Sequence, residues 1–312
     1  MSALRRPVSW RALITVLAVA VLALAACGGD DDEGGSSGGS SETLRIGAIP
    51  DQEPERLQRT YGLLADHLES ELGVTVEYVP VTDYQGAVTA FGVGDLDVVW
   101  FGGLTGVQAR LEVDGARAVA QRDIDEEFTS VFIAGADTGI EPFDSVDGLA
   151  ALSGHSFTFG SESSTSGRLM PQSFLAEAGV DVGADLDGPP GFSGSHDATI
   201  EVVSAGTYES GALNSQVWDS RAEEGAVDTD RVVEVFRTPP YYDYHWVARP
   251  ELDDRFGDGF TDRFVEALTS LSADDPSDVE ILDLFGAGAF IATENANYGA
   301  IEDVAKEVGL IR

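Results

Sequence analysis

Eight residues, Gly160-Ser161-Glu162-Ser163-Ser164-Thr165-Ser166-Gly167, follow the apolar run Ser156 to Phe159 and open an amphipathic run from Leu169 to Ala178. The order reads as strand, hydroxyl-rich turn and helix N-terminus. The first N–H groups of a helix have no intrahelical acceptor, and the helix dipole places partial positive charge beside them. Hydroxyls at the same point complete a set of donors suited to a small oxyanion. No lysine follows the glycine as a phosphate-binding nucleotide loop requires, so a triphosphate is not expected. The plainer reading of the same residues is a well-capped helix after a surface loop.

Other reactive groups are sparse. The four histidines, at positions 67, 155, 196 and 245, form no His-x-x-x-His pair, so no metal and no cofactor are expected. Ser164 or Ser166, His196 and Asp243 would supply the parts of a hydrolytic triad, yet no Gly-x-Ser-x-Gly elbow is present. An enzyme is therefore not the expected class.

The N-terminus indicates where the chain works. Arg5, Arg6 and Arg11 precede an apolar run from Ala12 to Ala26, too short and too alanine-rich for a permanent membrane span, so residues 1–26 read as a secretory signal. The run ends in Leu24-Ala25-Ala26-Cys27, which resembles a bacterial lipobox and implies lipid attachment at Cys27. Cys27 is the single cysteine, which excludes an internal disulfide. Residues 27–42 are glycine, serine, aspartate and glutamate apart from the cysteine, and read as a flexible tether. Together these features predict a protein held extracytoplasmically on the cell membrane.

Composition limits the partners. The chain carries 18 basic and 55 acidic residues among 312, a net charge of −37, which repels nucleic acid and anionic lipid. An anion site remains compatible with that surface because charges are screened within about 8 Å at physiological salt, whereas a desolvated pocket acts at contact. The acidity reads as an adaptation to salt or for solubility. The run Asp30 to Glu33 lies in the tether and reads as solvated.

Strand signals at Leu44–Pro50, Val74–Val79, Asp97–Phe101 and Arg117–Gln121 alternate with helical spacing at 56–72, 84–93 and 104–113, and a further strand signal follows at Thr129–Ala134. That βαβαβαβ order predicts an α/β layer with a mostly parallel sheet. A second layer begins near Asp144, with a strand at Phe157, helices from Ser166, through 198–205 and around 214–224, a short strand near Tyr208, and strands at 231–236 and 244–248. The tail from Asp253 to Ile311 reads as mainly helical. Two α/β lobes, 43–130 with 245–312 and 131–244 including the crossings, would grip a ligand between them.

Several separated motifs carry a resemblance. Ile49-Pro50-Asp51, Val81-Thr82-Asp83-Tyr84, Val99-Trp100-Phe101-Gly102-Gly103, Ser163-Ser164-Thr165-Ser166-Gly167, His196 and Pro239-Pro240-Tyr241-Tyr242-Asp243-Tyr244 occur in the order and spacing of solute-binding proteins of phosphate, phosphite and phosphonate ABC importers. The likeness runs from about Leu44 to Leu310. It implies a type II periplasmic-binding fold: two α/β lobes, two crossing strands and one ligand in the cleft. The chain also resembles a subgroup, marked by Pro-Pro-Tyr-Tyr-Asp-Tyr and by Gly211-Ala212-Leu213-Asn214, for which selenate has been suggested as the ligand.

By this resemblance Ser164, Thr165, Ser166 and Gly167 hold the oxyanion, Tyr84 donates from the opposite lobe, and a protonated His196 adds a positive donor. Phe101 stands where the phosphonate binders have a tyrosine, and Asn214 near where they place a carboxylate for an amino group. Both departures point to a smaller ligand without an amine, such as phosphite, methylphosphonate or another simple oxyanion. A carboxylate beside an anion is costly unless it accepts a proton from the ligand or pairs with a neighbour, so Asp243 inside the cleft implies a protonated oxyanion, and Asp243 paired with His196 permits a fully ionised one. Trp100, Trp218, Tyr241, Tyr242 and Trp246 would wall the cleft or fill the core. The implied partners are a permease and ATPase complex, with the receptor itself a monomer. The alternative is a binder of another organic solute, or an extracytoplasmic sensor on the same fold.

Overall fold

The computed structural model describes residues 42–312; the expected signal, Cys27 and all but the last residue of the tether lie outside them. The strands are β1 (Thr43–Ala48), β2 (Thr75–Tyr78), β3 (Val98–Phe101), β4 (Arg117–Arg122), β5 (Ser130–Gly135), β6 (Phe157–Phe159), β7 (Gly191–Phe192), β8 (Ser210–Asn214), β9 (Val232–Arg237), β10 (His245–Ala248) and β11 (Phe290–Ala292). The α-helices are α1 (Pro54–Leu72), α2 (Tyr84–Val93), α3 (Gly103–Glu112), α4 (Met170–Glu177), α5 (His196–Ser204), α6 (Ser215–Glu223), α7 (Leu252–Phe256), α8 (Phe260–Thr269), α9 (Pro276–Phe285) and α10 (Gly299–Glu307).

Helix α1 shows how the sequence writes these elements. Leu57, Tyr61, Leu64 and Leu68 recur at helical spacing and are buried, Pro54 occupies the first turn where its missing N–H costs nothing, and Gly73 ends the helix at φ 68°. Only glycine takes that left-handed turn without strain.

Two sheets form two lobes. The first has the order β11-β4-β10-β3-β1-β2 and the second β7-β6-β8-β5-β9. In the first, β1 pairs parallel with β2 and β3, whereas β10 lies antiparallel between β3 and β4, and β11 is antiparallel to β4. The sheet is therefore mixed, not mostly parallel, because the chain returns late to insert β10 in its middle. The run around Thr129 is also reassigned. As β5 it pairs antiparallel with β8 and β9 in the second sheet. Its residues are buried throughout, and a continuous apolar run does not specify which sheet it joins. The strand expected near Tyr208 is β8, which starts at Ser210 and is central and fully buried.

Adjacent residues of a strand face opposite sides of the sheet. On β3, Trp100 meets Phe285 of α9 and Trp246 of β10, at ring separations of 5.6 and 5.4 Å. Its neighbour Phe101 turns the other way, onto Phe91 of α2 at 5.7 Å. The two chain crossings, 123–129 and 238–244, run side by side. Phe128 and Tyr241 exchange backbone N–H···O bonds of 2.9 Å in both directions, which couples the crossings where the lobes meet.

Candidate oxyanion site

The hydroxyl-rich turn after β6 enters not an ordinary α-helix but a π-helical turn, Thr165–Leu169, continued by α4. Ser164 caps it: its Oγ accepts the Gly167 N–H at 2.9 Å, and its carbonyl accepts the Leu169 N–H at 3.0 Å. That five-residue bond widens the first turn, a geometry found disproportionately at functional sites. Among the described residues neither the Thr165 nor the Ser166 N–H has a hydrogen-bond partner, as expected of the first donors of a helix. Gly167 is required by crowding. A Cβ there would lie 3.0 Å from Ser164 Oγ and 3.2 Å from His196 Cε1.

A second helix start faces the first. The Gly103 N–H donates to Asp243 Oδ1 at 2.8 Å and the Leu104 N–H to Thr165 Oγ1 at 2.9 Å, so the N-terminus of α3 is capped by one side chain from a crossing and one from the other lobe. Gly102 allows this approach, since a Cβ would stand 3.0 Å from Thr165 Oγ1 and 3.2 Å from Asp243 Oδ1. Three buried polar atoms here make no hydrogen bond of good geometry: Tyr84 Oη, with Ser164 nearby, Ser166 Oγ, with Tyr241 nearby, and Asp243 Oδ2. Each unsatisfied group costs about 1–3 kcal/mol, which makes the three a candidate site for a polar ligand. Tyr84 is the first residue of α2, fixed by Asp83, whose carboxylate accepts the Gly86 N–H at 2.7 Å.

Burial raises the Asp243 carboxyl from 3.8 to about 7; the Gly103 N–H acts against this, Asp125 adds to it, and Thr165 and Arg122 act against it. Burial also lifts the Tyr84 phenol well above 10, with Asp51 reinforcing the shift, so it stays a donor. Among the described residues the cation whose charge acts on Asp243 is Arg122, and Asp125 holds it in two bonds of 2.7 and 2.6 Å. The available positive potential comes from helix N-termini and hydroxyls.

Two expectations need correction. His196 is not a protonated donor: burial pushes it down to about 4, and its Nδ1 accepts the Asn214 N–H at 3.3 Å. A nitrogen that accepts an N–H holds the ring neutral, with the proton on Nε2, 3.2 Å from Tyr244 Oη. His196 therefore pairs neither with Asp243 nor with a serine, and the triad arrangement is not formed. Asn214 is not a free ligand group. Its Oδ1 caps α6 by accepting the Val217 N–H at 3.1 Å, and its Nδ2 donates to Tyr244 Oη at 3.1 Å.

Phe101 faces the apolar interior, as its sheet position dictates. Trp100, Trp218 and Trp246 are core residues, and Tyr242 packs on Tyr298 at 5.9 Å. Only Tyr241 of the aromatic set reaches the site. Its hydroxyl lies 2.6 Å from Ser130 Oγ, which donates to the Ser166 carbonyl at 2.7 Å. Sequence reasoning assigned no role to Ser130, Tyr244 or Asp51. Tyr244 donates to Asp51 Oδ2 at 2.8 Å, behind the oxyanion donors. The quoted motifs contain Asp51 and Tyr244, but nothing local marks Ser130.

The family described as "ABC transporter, phosphonate, periplasmic substrate-binding protein" matches residues 46–298. The chain is 44% identical over 271 residues to the probable ABC transporter phosphite binding protein PhnD1 of Prochlorococcus marinus, covering 87% of this chain and 91% of that one. The structure of that PhnD1 in complex with methylphosphonate superposes with a TM-score of 0.84, covering 86% of this chain and 99% of that chain at 44% identity. The phosphate-import protein PhnD of Mycolicibacterium smegmatis is 29% identical over 234 residues, 70% of each chain. A binding protein component of an ABC phosphonate transporter from Pseudomonas aeruginosa, at 17% identity and a TM-score of 0.74 over 85% of each chain, shares the fold.

Proposed function

This chain belongs to the family of periplasmic substrate-binding proteins of phosphonate ABC transporters, and on that premise we propose that it captures a small phosphorus oxyanion carrying one proton, such as methylphosphonate or phosphite, for delivery to a permease. The observation that carries this reading is the trio of unsatisfied atoms. Tyr84 Oη and Ser166 Oγ donate to ionised oxygens, and Asp243 Oδ2 accepts the remaining proton of the ligand. The unpartnered N–H groups of Thr165 and Ser166 join them. Five charge-assisted bonds at about 1.5–3 kcal/mol each are enough for micromolar binding or better. Asn214 carries no negative charge to hold an ammonium and its side chain is committed to the α6 cap and to Tyr244, which supports a ligand without an amino group.

A fully ionised anion such as selenate would instead need Asp243 to bring the proton, which a carboxyl at about 7 supplies below neutrality. The proposal extends to the lobes 43–130 with 245–312 and 131–244, to Ser164 and Gly167 as the frame of the site, and to lipid attachment at Cys27 of a monomeric receptor. Calorimetric titration with methylphosphonate, phosphite, phosphate, sulfate, selenate and 2-aminoethylphosphonate tests it. Proton-linked binding of the first two is expected, and Thr165→Ala with Ser166→Ala should abolish it while the circular dichroism spectrum is kept. Unchanged affinity in that double variant, or silence from every phosphorus anion, overturns the reading.

A further inference from the structure

Beyond the candidate oxyanion site, the lobes touch where Gln216 of α6 donates to the Phe285 carbonyl and accepts from Arg122, and along residues 51–56, where the loop after β1 and the first turn of α1 meet the start of α5 and the C-terminal end of α6. There the His196 N–H donates to the Asp51 carbonyl and the Glu53 N–H to Asp197 Oδ2, both at 3.0 Å. Arg56 Nη1 reaches Glu224 Oε1 at 3.0 Å. Arg221 of α6 sits among these groups, its side chain only 14% exposed. Its Nε donates to Asp197 Oδ1 at 2.7 Å, Nη2 to Glu53 Oε2 at 2.9 Å and Nη1 to Glu224 Oε2 at 3.1 Å.

We propose that Arg221 is a positioning residue that latches the two lobes in the closed state and so sets how long the captured anion stays. The inference rests on the capture reading above. Of the three carboxylates that Arg221 holds, Glu53 belongs to the other lobe, while Asp197 is steadied so that its second oxygen can accept the Glu53 N–H. Without the guanidinium, Glu53, Asp197 and Glu224 would face one another with only Arg56 among them, and like charges would push the lobes apart. Arg221 contacts none of the oxyanion-site atoms, so it acts on closure and not on ligand choice.

The test combines amide hydrogen exchange with ligand kinetics on wild type, Arg221→Ala, Arg221→Lys and Glu53→Gln. In Arg221→Ala, exchange of the Glu53 and His196 amides, both donors across the lobes, should accelerate about tenfold without added anion, with β3 unchanged. Methylphosphonate should dissociate about tenfold faster with an association rate within about twofold of wild type. Arg221→Lys should recover only part of this, because one ammonium does not span three carboxylates. Glu53→Gln removes only the Arg221–Glu53 ion pair, leaving the Arg56–Glu224 pair across the lobes, and should give a smaller effect in the same direction, which keeps the test informative if the alanine variant does not fold. Unchanged exchange at Glu53 and His196, or a uniform rise through the whole chain, overturns the latch. If wild type binds no methylphosphonate, the capture reading fails while the exchange arm still decides the latch.

Discussion

Replacing Asp243 by asparagine separates the two contributions this carboxylate makes. In the free protein it is a burden, because burial moves its pKa from 3.8 to about 7, equivalent to about 4 kcal/mol of stability lost between acid and alkaline pH. The sign follows from proton binding. The folded state holds this proton more tightly than the unfolded chain, so the contribution is fully present below pH 3.8 and is gone once pH passes 7. His196 works oppositely: lowered from 6.5 to about 4, it stabilises above 6.5 and loses that contribution as pH falls through 4. Asp51, raised to about 6, has largely finished titrating by pH 7. The window from about 7 to 8 therefore reports Asp243, and Asp243→Asn should flatten the fall in stability there and gain up to about 4 kcal/mol at pH 8.

Affinity should move the other way. The Gly103 N–H fixes the amide oxygen on its side, which turns the NH2 toward the position of Oδ2. A donor then meets the P–OH of the ligand, and loss of one charge-assisted bond, about 1.5–3 kcal/mol, weakens methylphosphonate roughly 10- to 150-fold. Sulfate and selenate, which present only acceptors, should bind better than to wild type. Calorimetry at pH 8 in two buffers of different ionisation enthalpy counts the protons taken up: wild type should absorb close to one with methylphosphonate dianion, the variant none. Methylphosphonate affinity within about twofold of wild type, with the same proton count, refutes the reasoning.

Tyr84→Phe removes an unsatisfied hydroxyl, so thermal unfolding of the free protein should stay level or rise while calorimetric affinity for methylphosphonate falls roughly tenfold or more. Gly102→Ala places a methyl group 3.0 Å from Thr165 Oγ1 and 3.2 Å from Asp243 Oδ1; backbone φ is −74°, so the chain accepts alanine and the effect should appear as about tenfold weaker binding with an unchanged circular dichroism spectrum.

Much of the site was legible because its parts are local. A strand, a run of Ser and Thr and an amphipathic helix define a donor-rich, capped turn by spacing alone, and Ser164 does cap that turn. The π-helical widening was not legible, since the same residues fit an α-helix start. His196 and Asn214 were visible as polar residues at helix starts, but their roles depend on who else is there. Tyr244, from a distant crossing, receives bonds from both, and burial then keeps the histidine neutral.

The sequence by itself determined the donor-rich character of the Ser164–Gly167 turn, most of the strands and helices of both layers, and the motifs that mark the family, because each rests on periodicity, capping or residue order within a short stretch; the short strands β7 and β11 carry too few residues to show a period. Only the tertiary structure decided that β5 joins the second sheet, that β10 splits the first, and that Asp243 caps α3 with one oxygen while leaving the other bare. Those outcomes turn on burial and on contacts between residues far apart in the chain. A carboxylate carries the same formula anywhere in a sequence, and its affinity for a proton is set by the solvent it loses and the donors it meets on folding.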